Sequence, residues 1–359
     1  MNPMNLDDLS SIRELDTQNM LTEIDGLPEQ LATAWSLGTS FEEFVAGDGR
    51  IEHVVIAGMG GSAIGGDLLA AYLAPTARVP VLVHRDYGLP AFAHGAKTLV
   101  IASSHSGNTE ETLDAFETAL ERGCRALAIC TGGELARRAN EKNVPLWTFE
   151  HKGQPRAAVG FSFGLLLAAL ARLNLTPDPE DDLRAAVDAM RTQQEALRAD
   201  VPVIRNPAKR LAGQLIGRWV VVMASGYLAP VARRWKTQIN ELAKAAATFE
   251  TLPEADHNTL AGLLQPSEVL SSRAAALFLR APSDHPRNHL RIELTQQAFM
   301  LEGVSTDFVD AHGDTPLAHM WTTLHFGDYV AYYLAISYGV DPTPVEALQS
   351  LKQMLRARR

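Results

Sequence analysis

The sequence predicts an α/β protein made of two subdomains, each a parallel sheet sandwiched by helices. Three observations carry this expectation. Short apolar runs alternate with helical patterns, which is the rhythm of βαβ units. Two of those runs end in glycine, "VVIAGMGG" (Val54 to Gly61) and "VVVMASG" (Val220 to Gly226). The alternation also restarts after Val203, behind a charged stretch and without repeated sequence. The expected organisation is a helical segment over 1–40, a first subdomain over 41–175, a linker helix over 176–203, and a second subdomain over 204–359 that includes the C-terminal helices.

Each element follows from a local pattern. Residues 1–40 carry apolar positions at helical spacing. Strands are expected over His53–Gly60, Val79–Tyr87, Lys97–Gly107, Cys124–Gly133 and Val144–Glu150. Helices are expected between them over Ser62–Tyr72, Thr109–Arg122 and Glu134–Lys142. Apolar strands without alternation indicate a parallel sheet covered on both faces. A long apolar helix follows Arg156, and Thr176 to Val203 reads as a boundary with a solvated helix. The second half offers strands over Arg218–Gly226, Ala275–Pro282 and Ser305–Ala311. Between and after them run the helices "RRWKTQINELAKAAA" (Arg233 to Ala247), "HLRIELTQQAFMLEG" and "LAHMWTTLHFGDYVAYYLAISYG". Open α/β sheets bind ligands at the carboxyl ends of their strands, where both glycine-rich segments fall.

Composition narrows the class. The chain has 359 residues, 46% of them hydrophobic, enough for two ordinary domains with a sizeable core. The formal net charge of −10 argues against nucleic acid as a partner, because that would need a basic stripe. Cys124 and Cys130 are the two cysteines; they form no disulfide framework or metal motif and read as core thiols. The longest uncharged run, Ala157 to Ala171, lies between Arg156 and Arg172 and falls short of the roughly 18 residues a membrane span needs. The acidic N-terminal region has no signal-peptide core, so a cytoplasmic protein with no membrane partner is expected.

Two loops carry the chemistry. In "GMGGSAIGG", Gly58, Gly60 and Gly61 leave backbone amides uncovered, and Ser62 opens the next helix. A helix N-terminus with free N–H groups attracts phosphate. Tight packing alone would also explain the glycines. A dinucleotide fold stays open on spacing, since Asp86 sits roughly where the ribose-binding acid would be. The second loop, "SSHSGNTEET", places the hydroxyls of Ser104, Ser106 and Thr109 around Gly107. Thr109 before "EET" also fits an ordinary capping box, but one cap needs one hydroxyl, and three can converge on a tetrahedral anion. Neither loop holds Lys or Arg, and the G-K-[ST] of a nucleotide-triphosphate loop is absent from both.

These two loops resemble those of the sugar isomerase (SIS) domain family. Two further segments, "RRWKTQINELAKAAATFETLPEADHN" (Arg233 to Asn258) and "GDYVAYYLAISYGVDPTPVEALQSLKQML" (Gly327 to Leu355), resemble the bifunctional phosphoglucose/phosphomannose isomerases, as does "GQPRAAVG" (Gly153 to Gly160). Ala255 and Asp256 stand where Leu-Asn is commoner. The resemblance runs over almost the whole chain. It implies two SIS-type subdomains, a homodimer, and no metal, nucleotide or other cofactor. It also implies an aldose–ketose isomerase acting on a hexose 6-phosphate, with glucose 6-phosphate and mannose 6-phosphate both giving fructose 6-phosphate.

That reaction needs a base, a ring-opening acid and a cation for the enediolate oxygen. Glu241 is the candidate base, although on a continuous helix it would equally pair with Lys244 at i,i+3. His257 is the ring-opening candidate, and the resemblance implies that it is contributed across the dimer interface. Arg156 precedes an apolar helix, where the dipole disfavours a cation; the resemblance gives it the enediolate. Lys352 would suit the dipole at a helix end, and the resemblance makes it a ring-side lysine beside the histidine. The phosphate would rest on Gly60, Gly61, Ser62, Ser104, Ser106 and Thr109. Asp86 and His105 are weaker candidates for the pocket. His312, His319 and His325 fall roughly on one helical side without an acidic companion, so no metal site is expected. Three other readings compete. One is an SIS-type isomerase for a pentose 5-phosphate or an amino sugar. Another is a non-catalytic sugar-phosphate regulator. The third is a dinucleotide-dependent oxidoreductase.

Overall fold

The computed structural model describes residues 4–42 and 50–358. Five strands form the first sheet: β1 (His53–Ala57), β2 (Val81–His84), β3 (Thr98–Ser104), β4 (Arg125–Cys130) and β5 (Leu146–Thr148). Their order is β2-β1-β3-β4-β5 and every pairing is parallel, with Val55 opposite Val100 and Leu99 opposite Arg125. The second sheet holds β6 (Trp219–Ser225), β7 (Ala247–Leu252), β8 (Ala274–Arg280) and β9 (Ser305–Asp310), parallel in the order β7-β6-β8-β9. In both sheets the first strand has its successor on one side and the third on the other. The chain therefore switches direction between β1 and β3 and again between β6 and β8. Such switch points open a crevice at the strands' carboxyl ends.

β3 is buried at every position, as its unbroken apolar run requires. β7 departs from the helix expected through Ala247. The alanines after Glu241 read as helical by propensity, yet the helix spans Ala229–Glu241 and then breaks. Lys244 takes a left-handed φ of 52°, and the chain turns into the β-branched and aromatic stretch of β7. The helix Glu180–Gln194 is solvated on one face only. It buries Leu183, Ala186, Val187 and Met190 and packs against the helix Pro316–Ser337. Cys124 and Cys130 are both buried thiols.

The helix Pro316–Ser337 is buried along almost its whole length and anchors the rest. Arg234 Nη2 donates to Asp328 Oδ2 at 2.8 Å and Nε to Oδ1 at 3.2 Å, both residues buried. Trp235 Nε1 donates to the Thr323 carbonyl at 2.9 Å. A buried pair of this kind contributes less to net stability than to a fixed register, since desolvation offsets its attraction. These bonds fix the helix Ala229–Glu241, and so its last residue. A second brace joins the two halves: Asp67, on the helix Gly60–Leu73, accepts from Arg85 and, at 3.2 Å, from Arg233. Among the described residues no helix is long and apolar enough to cross a membrane.

Candidate active site

The site lies at the carboxyl end of the β1/β3 switch point. β1 runs into Gly58-Met59-Gly60, and Gly60 adopts a left-handed φ of 52° with open space where a Cβ would stand. The helix Gly60–Leu73 starts there without a side-chain cap. β3 ends at Ser104, and the helix Glu110–Glu121 starts after Thr109, also without a side-chain cap. The capping box is therefore not made. Instead Ser104 Oγ donates to Thr109 Oγ1 at 3.0 Å across the loop. Ser62 Oγ accepts from the His105 amide at 3.2 Å and stitches the two loops together. Ser106 Oγ, at an exposed position, accepts from the Asn108 amide at 3.2 Å. Two helix N-termini and these hydroxyls are the kind of neutral donors that could hold a tetrahedral anion.

Arg156 is held against the same loop. A Cβ on Gly61 would lie 2.4 Å from the Pro155 carbonyl oxygen and 3.3 Å from Arg156 Cα, so only glycine admits this contact. Arg156 sits in the short 3-10 turn Pro155–Ala157, with its side chain 6% exposed. Nη2 donates to the carbonyls of Pro342, at 3.0 Å, and Thr343. Nη1 lies 3.7 Å from Glu241 Oε2, and Nε is buried without a hydrogen-bond partner among the described residues. Burial pulls the Arg156 guanidinium below its ordinary value while Glu241 opposes the shift, and an arginine remains a cation even so. Glu241, at the end of its helix, is 28% exposed: shielded yet reachable.

The structure brings together Gly60, Gly61, Ser62, Ser104 and Thr109, sets Arg156 beside them through Gly61, and sets Glu241 on Arg156. It does not bring His257 or Lys352 to that group within one chain. His257 ends the 3-10 turn Glu254–His257, exposed and without a protein partner among the described residues. The turn is pinned by Asp256, whose carboxylate accepts from Arg291 at 2.7 Å and Thr295 at 2.8 Å. Lys352 stands exposed on the helix Glu346–Arg356, beside the bare side chains of Leu348, Leu351, Met354 and Leu355. Asp86 is exposed and accepts from the Tyr87 amide of its own loop at 2.8 Å. The three late histidines diverge. His319 meets Ser283 at 2.9 Å and Gly313 at 3.0 Å, His325 donates to the Ile24 carbonyl at 2.8 Å, and His312 lines a cavity between Glu180–Gln194 and β9.

Two features near the site, and one in the matching crevice of the other sheet, are not visible in the sequence. His105 belongs to a chain of three groups: its Nε2 lies 2.9 Å from His151 Nδ1, and His151 Nε2 lies 3.0 Å from Glu23 Oε2. With a carboxylate at one end, His151 donates to Glu23 and accepts from His105. Burial, then the neighbouring His151, pushes His105 down to about 4, so it stays neutral. Lys244 is the second feature. Its Nζ donates to the carbonyls of Glu241, Leu242 and Asp341 at 2.9, 3.1 and 2.8 Å.

The third lies in the other sheet. At the β6/β8 switch point Gly226 repeats the left-handed turn, with φ 51°. Here the crevice is filled from within. The buried Asp284 carboxylate accepts from Ser225 Oγ at 3.1 Å and from the Ala281 amide at 2.8 Å. Burial raises its pKa above the ordinary carboxylate value.

Two parallel sheets flanked by helices, each with a switch-point crevice, are the architecture of two SIS-type domains. Residues 50–148 match the SIS domain family, and residues 204–355 match the family described as Bacterial phospho-glucose isomerase C-terminal SIS domain. The chain belongs to the bifunctional phosphoglucose/phosphomannose isomerase family. It is 38% identical over 339 residues to the bifunctional phosphoglucose/phosphomannose isomerase of Caldicellulosiruptor bescii, covering 94% of this chain and 98% of that one. It is 34% identical to the protein of that name from Aquifex aeolicus, covering 84% and 90%. In fold it is similar to the C-terminal domain of glucosamine-fructose-6-phosphate aminotransferase from Francisella tularensis, with TM-score 0.69, 15% identity and coverage of 93% and 99%.

Proposed function

We infer that the protein interconverts glucose 6-phosphate and mannose 6-phosphate with fructose 6-phosphate. The observation that carries this reading is the Arg156–Glu241 pair at 3.7 Å, set beside an anion cradle that contains no cation of its own. The cradle holds the phosphate at one end of the sugar, and the pair meets the other. Glu241 takes the proton from C2 of the open aldose. The electron pair moves into the C1–C2 bond, and negative charge collects on O1, where Arg156 opposes it. The O2 proton passes to O1, and the proton on Glu241 returns to C1, giving the ketose. C2 is planar in this cis-enediolate, and one site serves both epimers provided the intermediate rotates about C2–C3 or takes its proton on either face. The chemistry closes with carboxylate, guanidinium and hydroxyls, and the protein is read as a cytoplasmic enzyme.

The test is to incubate the protein with each aldose phosphate in EDTA and follow fructose 6-phosphate. Both substrates are expected to turn over at unchanged rates with the chelator. Loss of activity in EDTA, or activity only on a pentose 5-phosphate or an amino sugar, overturns the reading.

Ring opening needs an acid that one chain does not bring to the site. We assign that role to His257 of a second copy, with Lys352 beside it. Two observations support a second copy: the helix around Lys352 leaves Leu351 50% and Leu355 58% exposed, and Leu290 and Leu294 are bare on the helix that Asp256 bonds beside His257. A shared site makes a sharp prediction. Glu241→Gln and His257→Ala proteins, each nearly inactive, regain activity when subunits are exchanged, since a mixed dimer contains one intact site. Failure to regain activity, with mixed dimers shown to form, places His257 in its own chain's site or outside any site.

A further inference from the structure

Lys244 lies three residues beyond the base, and nothing in the mechanism above uses it. Its backbone is held at φ 52°, a conformation that costs a residue with a Cβ on the order of 1 kcal/mol. The turn itself is required, because the base's helix ends at Glu241 and β7 begins at Ala247. Glycine or asparagine would make such a turn at lower cost. The side chain is what distinguishes lysine here. An ammonium has three donors, and this one reaches three carbonyl oxygens: Glu241 at 2.9 Å, Leu242 at 3.1 Å and Asp341 at 2.8 Å. The first two are the closing carbonyls of the base's helix. The third begins the segment whose next two carbonyls, Pro342 and Thr343, hold Arg156.

We propose that Lys244 is a positioning residue for the isomerisation, its ammonium tying the end of the Glu241 helix to the carbonyl ledge that seats Arg156. The bond ties the base's helix end to the segment that seats the cation. It also adds a second positive charge next to Arg156. Burial, then the Arg156 cation, pushes Lys244 down to about 8, against Asp341 and Glu241. The charged groups that face Nζ are Glu241 on its own segment, Arg156 from the 155–157 turn and Asp341 from the segment before the last helix.

The inference rests on Glu241 being the base, so Glu241→Gln is measured alongside. The informative variant is Lys244→Gly, which removes the ammonium while relieving the backbone strain. It is expected to lower kcat about 10- to 100-fold, with KM for fructose 6-phosphate changed less than about threefold. Ethylammonium is expected to restore part of the loss, and the denaturant midpoint serves as the control for folding. The parent kcat is expected to fall above about pH 8 as the ammonium loses its proton, and Lys244→Arg is expected to keep more activity than Lys244→Gly and to lack that fall. A kcat for Lys244→Gly within twofold of the parent, or an unchanged alkaline limb in Lys244→Arg, overturns the proposal. If that happens while Glu241→Gln is inactive, the base assignment stands alone. If Glu241→Gln turns over normally, the base assignment falls, and this inference with it.

Discussion

Glu241→Gln is expected to lower kcat for fructose 6-phosphate by about 10²–10⁴, the usual contribution of a general base, and to leave KM nearly unchanged. The substitution is close to isosteric, and its carbonyl oxygen can still face Arg156 Nη1, so the site keeps its shape. The phosphate cradle, at the other end of the site, should hold the substrate as before. What the amide cannot do is take a proton from carbon. Exchange of the C2 hydrogen with solvent should therefore stop together with net turnover. Near-normal turnover, or exchange that continues while turnover stops, would remove Glu241 from the base role.

Arg156→Lys is expected to cost about 10²–10³ in kcat, the range seen when an oxyanion donor is lost. Lysine keeps the charge but not the fork. Arg156 uses Nη2 for Pro342 and Thr343 while Nη1 faces Glu241. One ammonium cannot hold that ledge and reach the enediolate in the geometry a planar guanidinium provides. Arg156→Ala would confound the reading, because two buried carbonyls would lose their donor at about 1–3 kcal/mol each. The lysine variant limits that loss, and a denaturation midpoint beside the kinetics separates stability from rate. An effect confined to KM would show that Arg156 only binds substrate.

The first sheet is legible because its central strands β1 and β3 are apolar runs that stop at glycine or serine. Both loops lie within single stretches of sequence, so the cradle can be read nearly whole. The missing strand β7 shows where this fails. Alanine-rich "LAKAAA" favours helix, and what ends the helix is the left-handed Lys244, whose side chain finds its acceptors partly at Asp341. No local pattern encodes a partner 97 residues away. The same holds for Arg156. Its misfit to the helix dipole hints at a role, but its neighbours Glu241 and Thr343 come from distant segments. The Glu23–His151–His105 chain joins three elements that have no common motif. His257 and Lys352 are a different case, since a single chain does not bring them to the pair at all.

Asp284 marks a difference between the two halves. Two halves of like construction would ordinarily offer two berths for a phosphorylated sugar, and a second occupant could compete with or distort the first. Here the matching place holds the chain's own buried Asp284, bonded to Ser225 Oγ and the Ala281 amide. The second half contributes instead the helix Ala229–Glu241, whose last residue is the base in the reading proposed above.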